Sequence, residues 1–244
     1  MAENEKTGYM KYLLPIRSVA FLLIFVIGAA VTGRELKEIG VWWSIAASVV
    51  NIATILLIYC LLKKAGVGYF EFMGLKKGGR SVKKTVLLTL LFAAVGMSGM
   101  YGAGLICYGS VMPGASLDIV APIAVPLAVI NMILLPLTVS FAEDWLYLGC
   151  GVLQIKNRYA AIIFPAFFYA LQHCFIPTLF DAKYMVYRLL SFLPLTVIFC
   201  IYLSKKRDPL PIIISHALLD LSTAMMILMT SAVPGLYDEW RAMI

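Results

Sequence analysis

The chain has 244 residues, 62% of them hydrophobic, with a mean hydropathy of +0.92 and a formal net charge of +7. A soluble domain is nearer half apolar, and these apolar runs lack the alternation of a membrane β-barrel, so both architectures are excluded. What remains is an all-α fold: a polytopic transmembrane helical bundle of about seven helices, within six to eight, forming one membrane domain over residues 1–244.

In chain order, the apolar runs predict spans over 15–33, 41–62, 85–109, 122–155, 159–179, 185–203 and 209–231. The first belongs to the polytopic pattern and is not a cleaved signal. "GMYGAG" at 99–104 reads as small-residue helix packing. The tail "GLYDEWRAMI" is short and amphipathic, suited to lying on the surface.

The loops sort the charge. Lys6, Lys11, Arg17, Lys63, Lys64, Lys76, Lys77, Arg80, Lys83, Lys84, Lys156, Arg158, Lys205, Lys206 and Arg207 fall on the N-terminal side, 15 of the 20 basic residues. Arg34, Lys37, Lys183, Arg188 and Arg241 fall on the other. The positive-inside rule then puts the N-terminus in the cytoplasm and, with seven spans, the C-terminus outside. A compact chain of this kind suits a bacterial plasma membrane. The basic loop at 63–84 reads as a topology determinant that touches lipid headgroups. No stacking platform or recognition helix points to nucleic acid, and the absence of GxxxxGK[ST] and GxGxxG leaves nucleotide-driven transport without support. The five cysteines, Cys60, Cys107, Cys150, Cys174 and Cys200, are odd in number, lack a CxxC pair and read as packing.

Ionisable residues inside spans are costly and mark sites. Away from the span ends, where Arg17 and Arg188 are counted with the loops, they are Glu143 and Asp144, His173, and the pair His216 and Asp220. His173 and His216 are the chain's two histidines, and both fall in predicted spans. Glu143 is about 20 Å from Lys156, His173 about 22 Å from Arg158 and His216 about 14 Å from Arg207 at the α-helical rise. All three reach a similar depth, which predicts one polar centre built from three helices. His216 and Asp220 are one turn apart and share a face. Glu143 and Asp144 point ~100° apart on an α-helix, so one should face the site and the other a neighbouring interface. Tyr169 precedes His173 by one turn and either packs or contacts substrate within the site.

This set suits the activation of water. A buried carboxylate can take a proton, and two imidazoles can orient the water and stabilise an oxyanion. Glu143, His173 and His216 are equally an open zinc site. The residues do not choose between zinc and a metal-free mechanism, and HExxH is absent.

At these positions the chain resembles the CPBP family of intramembrane proteases. That family includes the type II CAAX prenyl endopeptidases and bacterial proteins of bacteriocin processing and immunity. Its motifs are EExxxR, FxxxH and HxxxN/D on three membrane helices. Here they stand as "EDWLYL" at 143–148, "YALQH" at 169–173 and "HALLD" at 216–220, in a core of about 127–229. The resemblance implies an intramembrane protease cutting a membrane-associated or lipidated peptide or protein. In that reading Glu143 is the base for water and His173 its partner, with His216 and Asp220 on the oxyanion or metal side. Asp144, Tyr169 and Leu148 depart from the motifs. Leu148 replaces an arginine that would neutralise Asp144 from one turn away, so Asp144 is either protonated or served by another donor. Two further readings follow: a catalytically weakened, peptide-binding or immunity relative, and a proton-coupled transporter. The transporter would favour inverted repeats and broken helices, which the sequence lacks.

Overall fold

A computed structural model describes residues 6–75 and 81–244, and every regular element among them is helical. The principal helices are α1 (Ile16–Thr32), α2 (Trp43–Ala65), α3 (Val82–Tyr108), α4 (Val125–Val139), α5 (Ala160–Leu171), α6 (Ala182–Lys206) and α7 (Leu210–Ala232), followed by a short α8 (Leu236–Ala242). A 3₁₀ turn, Gly8–Leu13, leads into α1. α4 continues as a π-helix, Ser140–Val152, and α5 as a 3₁₀ turn, Gln172–Phe175.

Counted with their continuations, six helices among the described residues are long and apolar enough to cross a membrane: Gly8–Thr32, Trp43–Ala65, Val82–Tyr108, Val125–Val152, Ala182–Lys206 and Leu210–Ala232. The chain is an integral membrane protein, and its outer surface carries large apolar side chains such as Leu57, Ile106 and Ile163, as lipid contact requires.

The span expected at 159–179 is shorter than its apolar run. The helical segment Ala160–Phe175 is roughly 24 Å long at the α-helical rise, less than a ~30 Å hydrocarbon core. The chain turns extended at Ile176, so the end that carries Gln172 and His173 stops within the bundle.

Small residues set the close crossings. α6 packs on α3 and α5, α7 on α3 and α4, and α2 on α4. A Cβ on Gly99 would lie 2.5 Å from the Ser191 carbonyl oxygen, and one on Gly151 would lie 2.7 Å from the Pro165 ring. The first contact shows the "GMYGAG" stretch working as a packing face; the second lets α5 lie directly against the π-helix.

Two basic residues that the charge map places among the loops are inside the bundle. Arg17 is 2% and Arg188 5% exposed. Removing one from each side leaves 14 and 4, so the asymmetry persists. Lys76, Lys77 and Arg80 of the basic loop lie outside the described residues. On the opposite face, α8 buries none of its residues and is tied down by Arg241, which donates to Asp118 at 2.9 Å.

Candidate active site

The π-helix carries the two adjacent carboxylates. Its i→i+5 pattern shows where the Leu153 amide donates to the Leu148 carbonyl, and π segments of this kind recur at functional sites. More residues per turn bring neighbours closer in angle than on an α-helix. Glu143 and Asp144 therefore do not diverge to separate interfaces, as the α-helical angle predicts. Both approach the ring of His216, from its two ends: Glu143 Oε2 is 3.9 Å from Nε2, and Asp144 Oδ1 is 3.3 Å from Nδ1.

His216 reaches this position from α7, where Asp220 follows one turn later and places Oδ2 3.2 Å from Nε2. One imidazole thus faces three carboxylates. Tyr169, on α5, completes the inner side. Its hydroxyl donates to Asp144 Oδ1 at 2.7 Å and lies 2.8 Å from His216 Nδ1. A phenol has one proton. With that proton on Asp144, Nδ1 of His216 carries its own and donates to the Tyr169 oxygen. Tyr169 is 2% exposed and stacks on Tyr147 with ring centroids 4.5 Å apart. It braces the centre from behind.

Asp144 receives its donors from Tyr169 and His216 rather than from position 148. Leu148 is fully buried in an apolar cluster with Met10, Leu14 and Trp145. Asp144 Oδ2 has no hydrogen-bond partner among the described residues.

Glu143 is held from elsewhere. Its Oε1 accepts from Arg17 Nη2 at 2.8 Å, and its Oε2 accepts from Gln172 Nε2 at 2.6 Å. Arg17 also donates through Nε to Gln172 Oε1 (2.9 Å), through Nη1 to Thr54 Oγ1 (2.9 Å) and through Nη2 to Asn51 Oδ1 (2.8 Å). Tyr147 donates to the same Gln172 oxygen at 3.1 Å. Arg17, Asn51, Thr54, Tyr147 and Gln172 were not among the residues that the motifs single out. Their one sequence signal is polarity inside an apolar run, and for Asn51 and Thr54 a spacing of three.

His173 stands apart. No hydrogen bond or ion pair joins its side chain to Glu143, Asp144, His216 or Asp220 among the described contacts. Its Nδ1 lies 3.0 Å from the Tyr169 carbonyl oxygen, and its ring stacks on Phe192 at 3.5 Å between centroids. A carbonyl can only accept, so Nδ1 carries a proton, and in the neutral form of the ring the lone pair is on Nε2. Arg188 fixes the turn beneath it, donating to the carbonyls of His173 (3.3 Å) and Ile176 (3.2 Å). The neighbouring Cys174 is buried, with Sγ 3.2 Å from the Met185 carbonyl, a packing position.

The zinc alternative does not fit this arrangement. Among the described residues, no three His, Cys, Asp or Glu side chains are grouped to hold a metal ion. Glu143 is already paired with a guanidinium, which would repel a divalent cation on the same carboxylate.

The cluster is a closed polar island. Glu143, Asp144, His173 and His216 are 8% exposed or less, while the Asp220 side chain is 22% exposed. Asp220 is thus the member of the set nearest the surface of the bundle. Chemically, the island offers an anchored carboxylate, an imidazole poised to donate, and a second imidazole with an available lone pair.

Residues 125–222 match the family described as type II CAAX prenyl endopeptidase Rce1-like. The matched segment contains Glu143, Asp144, Tyr169, His173, His216 and Asp220. No curated protein and no solved structure matches the chain.

Proposed function

We propose that this chain, whose residues 125–222 match the type II CAAX prenyl endopeptidase family, is an intramembrane protease of the CPBP type that hydrolyses a peptide bond in a membrane-associated or lipidated peptide or protein. The observation that carries the reading is the anchored Glu143 carboxylate facing His216 across 3.9 Å. That separation is too long for a direct hydrogen bond, but a water about 2.8 Å from each atom would bridge them.

In this mechanism Glu143 Oε2 takes a proton from the water as its oxygen attacks the scissile carbonyl carbon. The lone pair of His173 Nε2 orients the same water. His216, an imidazolium among three carboxylates with one proton on Nδ1 and the other on Nε2, donates from Nε2 to the developing oxyanion, with Asp144, Tyr169 and Asp220 holding its ring in register. As the tetrahedral intermediate collapses, the departing amine takes the proton back from Glu143. The enclosing apolar helices strengthen each of these interactions by excluding bulk water. The N-terminus lies in the cytoplasm of a bacterial plasma membrane, as the basic loops favour.

Leu148 favours a second reading, a weakened relative that binds peptide without cutting it, because Asp144 Oδ2 has no donor among the described residues. The test is incubation of the purified chain in proteoliposomes with a farnesylated, internally quenched CAAX peptide, with and without o-phenanthroline. Cleavage that survives the chelator supports the metal-free protease. Peptide binding without cleavage supports the weakened relative.

A further inference from the structure

Arg17 lies on α1, more than a hundred residues before the matched segment, and belongs to none of the three motifs. Yet all three of its guanidinium nitrogens are engaged, and its four acceptors come from α2, the π-helix and the turn that ends α5. A planar guanidinium offers five N–H groups in a fixed fork. Here the fork is clamped on Thr54 and Asn51 on one side, and on Glu143 and Gln172 on the other. Its rear face lies over Phe21, with Cζ 5.3 Å from the ring centroid.

The consequence for Glu143 is double. Arg17 binds Oε1 directly. It also binds the Gln172 oxygen, and so orients the amide whose nitrogen holds Oε2. Both carboxylate oxygens are therefore set by one side chain, and the unoccupied edge of Oε2 is turned toward His216. No cation is available from the π-helix itself, because position 148 is a leucine packed among apolar side chains. The centre holds three carboxylates, and a membrane interior penalises uncompensated charge.

We propose that Arg17 is a positioning residue for the reaction, fixing from α1 the orientation in which Glu143 meets the water. The proposal rests on the protease reading given above. A purely structural tie between α1, α2, α4 and α5 would make a different prediction: its loss would lower the folded fraction without changing the turnover of molecules that remain folded.

The experiment uses the full chain in proteoliposomes, the farnesylated quenched CAAX peptide, and the variants Arg17→Lys, Arg17→Gln, Glu143→Gln and Arg17→Gln/Glu143→Gln, each normalised to folded protein. Lysine keeps the charge but replaces the fork with a point donor. Arg17→Lys should fold and lose ~10²-fold in kcat, the scale of a misplaced catalytic group, with KM within about twofold of the parent because uniform binding is untouched. Arg17→Gln should lose at least as much kcat and melt at a lower temperature. Adding Glu143→Gln to it should raise the melting temperature again, because removing both partners of a buried pair is milder than removing one. Folded Arg17→Lys and Arg17→Gln with parental kcat would overturn the proposal, and so would additive melting shifts in the double variant. If the parent leaves the peptide intact, the protease reading fails. The melting cycle then judges Arg17 alone: coupling sustains its hold on Glu143, and additivity removes it.

Discussion

The matched core and the helices before it contribute different things to one centre. Residues 125–222 supply three carboxylates, the His216 imidazole and a phenol, with the His173 imidazole standing beside them. α1 and α2 supply one guanidinium and two neutral acceptors, Arg17, Asn51 and Thr54. The core is thus complete in groups that can react, but its negative charge is only partly answered from within. Glu143 finds its cation on a helix outside the core. A segment can therefore carry every reactive group of a site and still depend on the rest of the chain for its electrostatics.

Removing a group from the core should have the largest effect. His216→Ala would leave Glu143, Asp144 and Asp220 around an empty position, at a cost of about 3–5 kcal/mol, the scale of breaking a buried ion pair from one side. Cleavage should fall by ~10²–10³-fold with the lost oxyanion donor. Thermal unfolding in detergent and peptide cleavage check the two parts. A His216→Ala variant as stable as the parent would show that the carboxylates do not rely on that imidazole.

On the N-terminal side, Asn51→Ala removes one acceptor from Arg17 and leaves the Glu143 pair in place. A hydrogen bond to a charged group is worth about 1.5–3 kcal/mol, so a stability loss in that range is expected, with cleavage reduced far less than by His216→Ala. Equal losses of cleavage for the two variants would erase the proposed difference between reactive core and supporting helices.

Tyr69→Phe should have the smallest effect. Tyr69 lies in the loop between α2 and α3, stacks on Trp145 and donates its hydroxyl to the Phe141 carbonyl of the π-helix at 2.7 Å. The stack survives the substitution, leaving the loss of one neutral hydrogen bond, about 0.5–1.5 kcal/mol. Burial, reinforced by Cys150, holds the phenol above its ordinary range. It stays a donor throughout working pH, so the loss should not vary between pH 6 and about 9. Melting temperatures across that interval test this.

The parts of the structure that were legible in the sequence are those with a periodic or costly signature. The apolar runs located the long helices within a few residues, and ionisable residues in those runs marked Glu143, Asp144, His173, His216 and Asp220 as the groups to inspect. The one-turn spacing of His216 and Asp220 became a direct contact. The π-helix was not legible, because apolar periodicity does not separate it from an α-helix, and the ~100° divergence expected for Glu143 and Asp144 went with it. Arg17 was hidden by its place near the start of a span, where a cation ordinarily reports topology. Gln172 was hidden beside His173, and Asn51 and Thr54 by being neutral. Each of these has a role that depends on which helices become neighbours, which no local pattern contains.

In the proposed mechanism Glu143, anchored in the bundle, activates the hydrolytic water. The most direct test of this role is the cleavage rate of the farnesylated CAAX peptide by folded Glu143→Gln against the parent, read by mass spectrometry of the fragments. Fragments are expected from the parent, with a rate lower by ~10²–10⁴-fold in the variant, the contribution of a positioned general base. A folded Glu143→Gln protein that cuts the peptide at the parental rate would contradict that role.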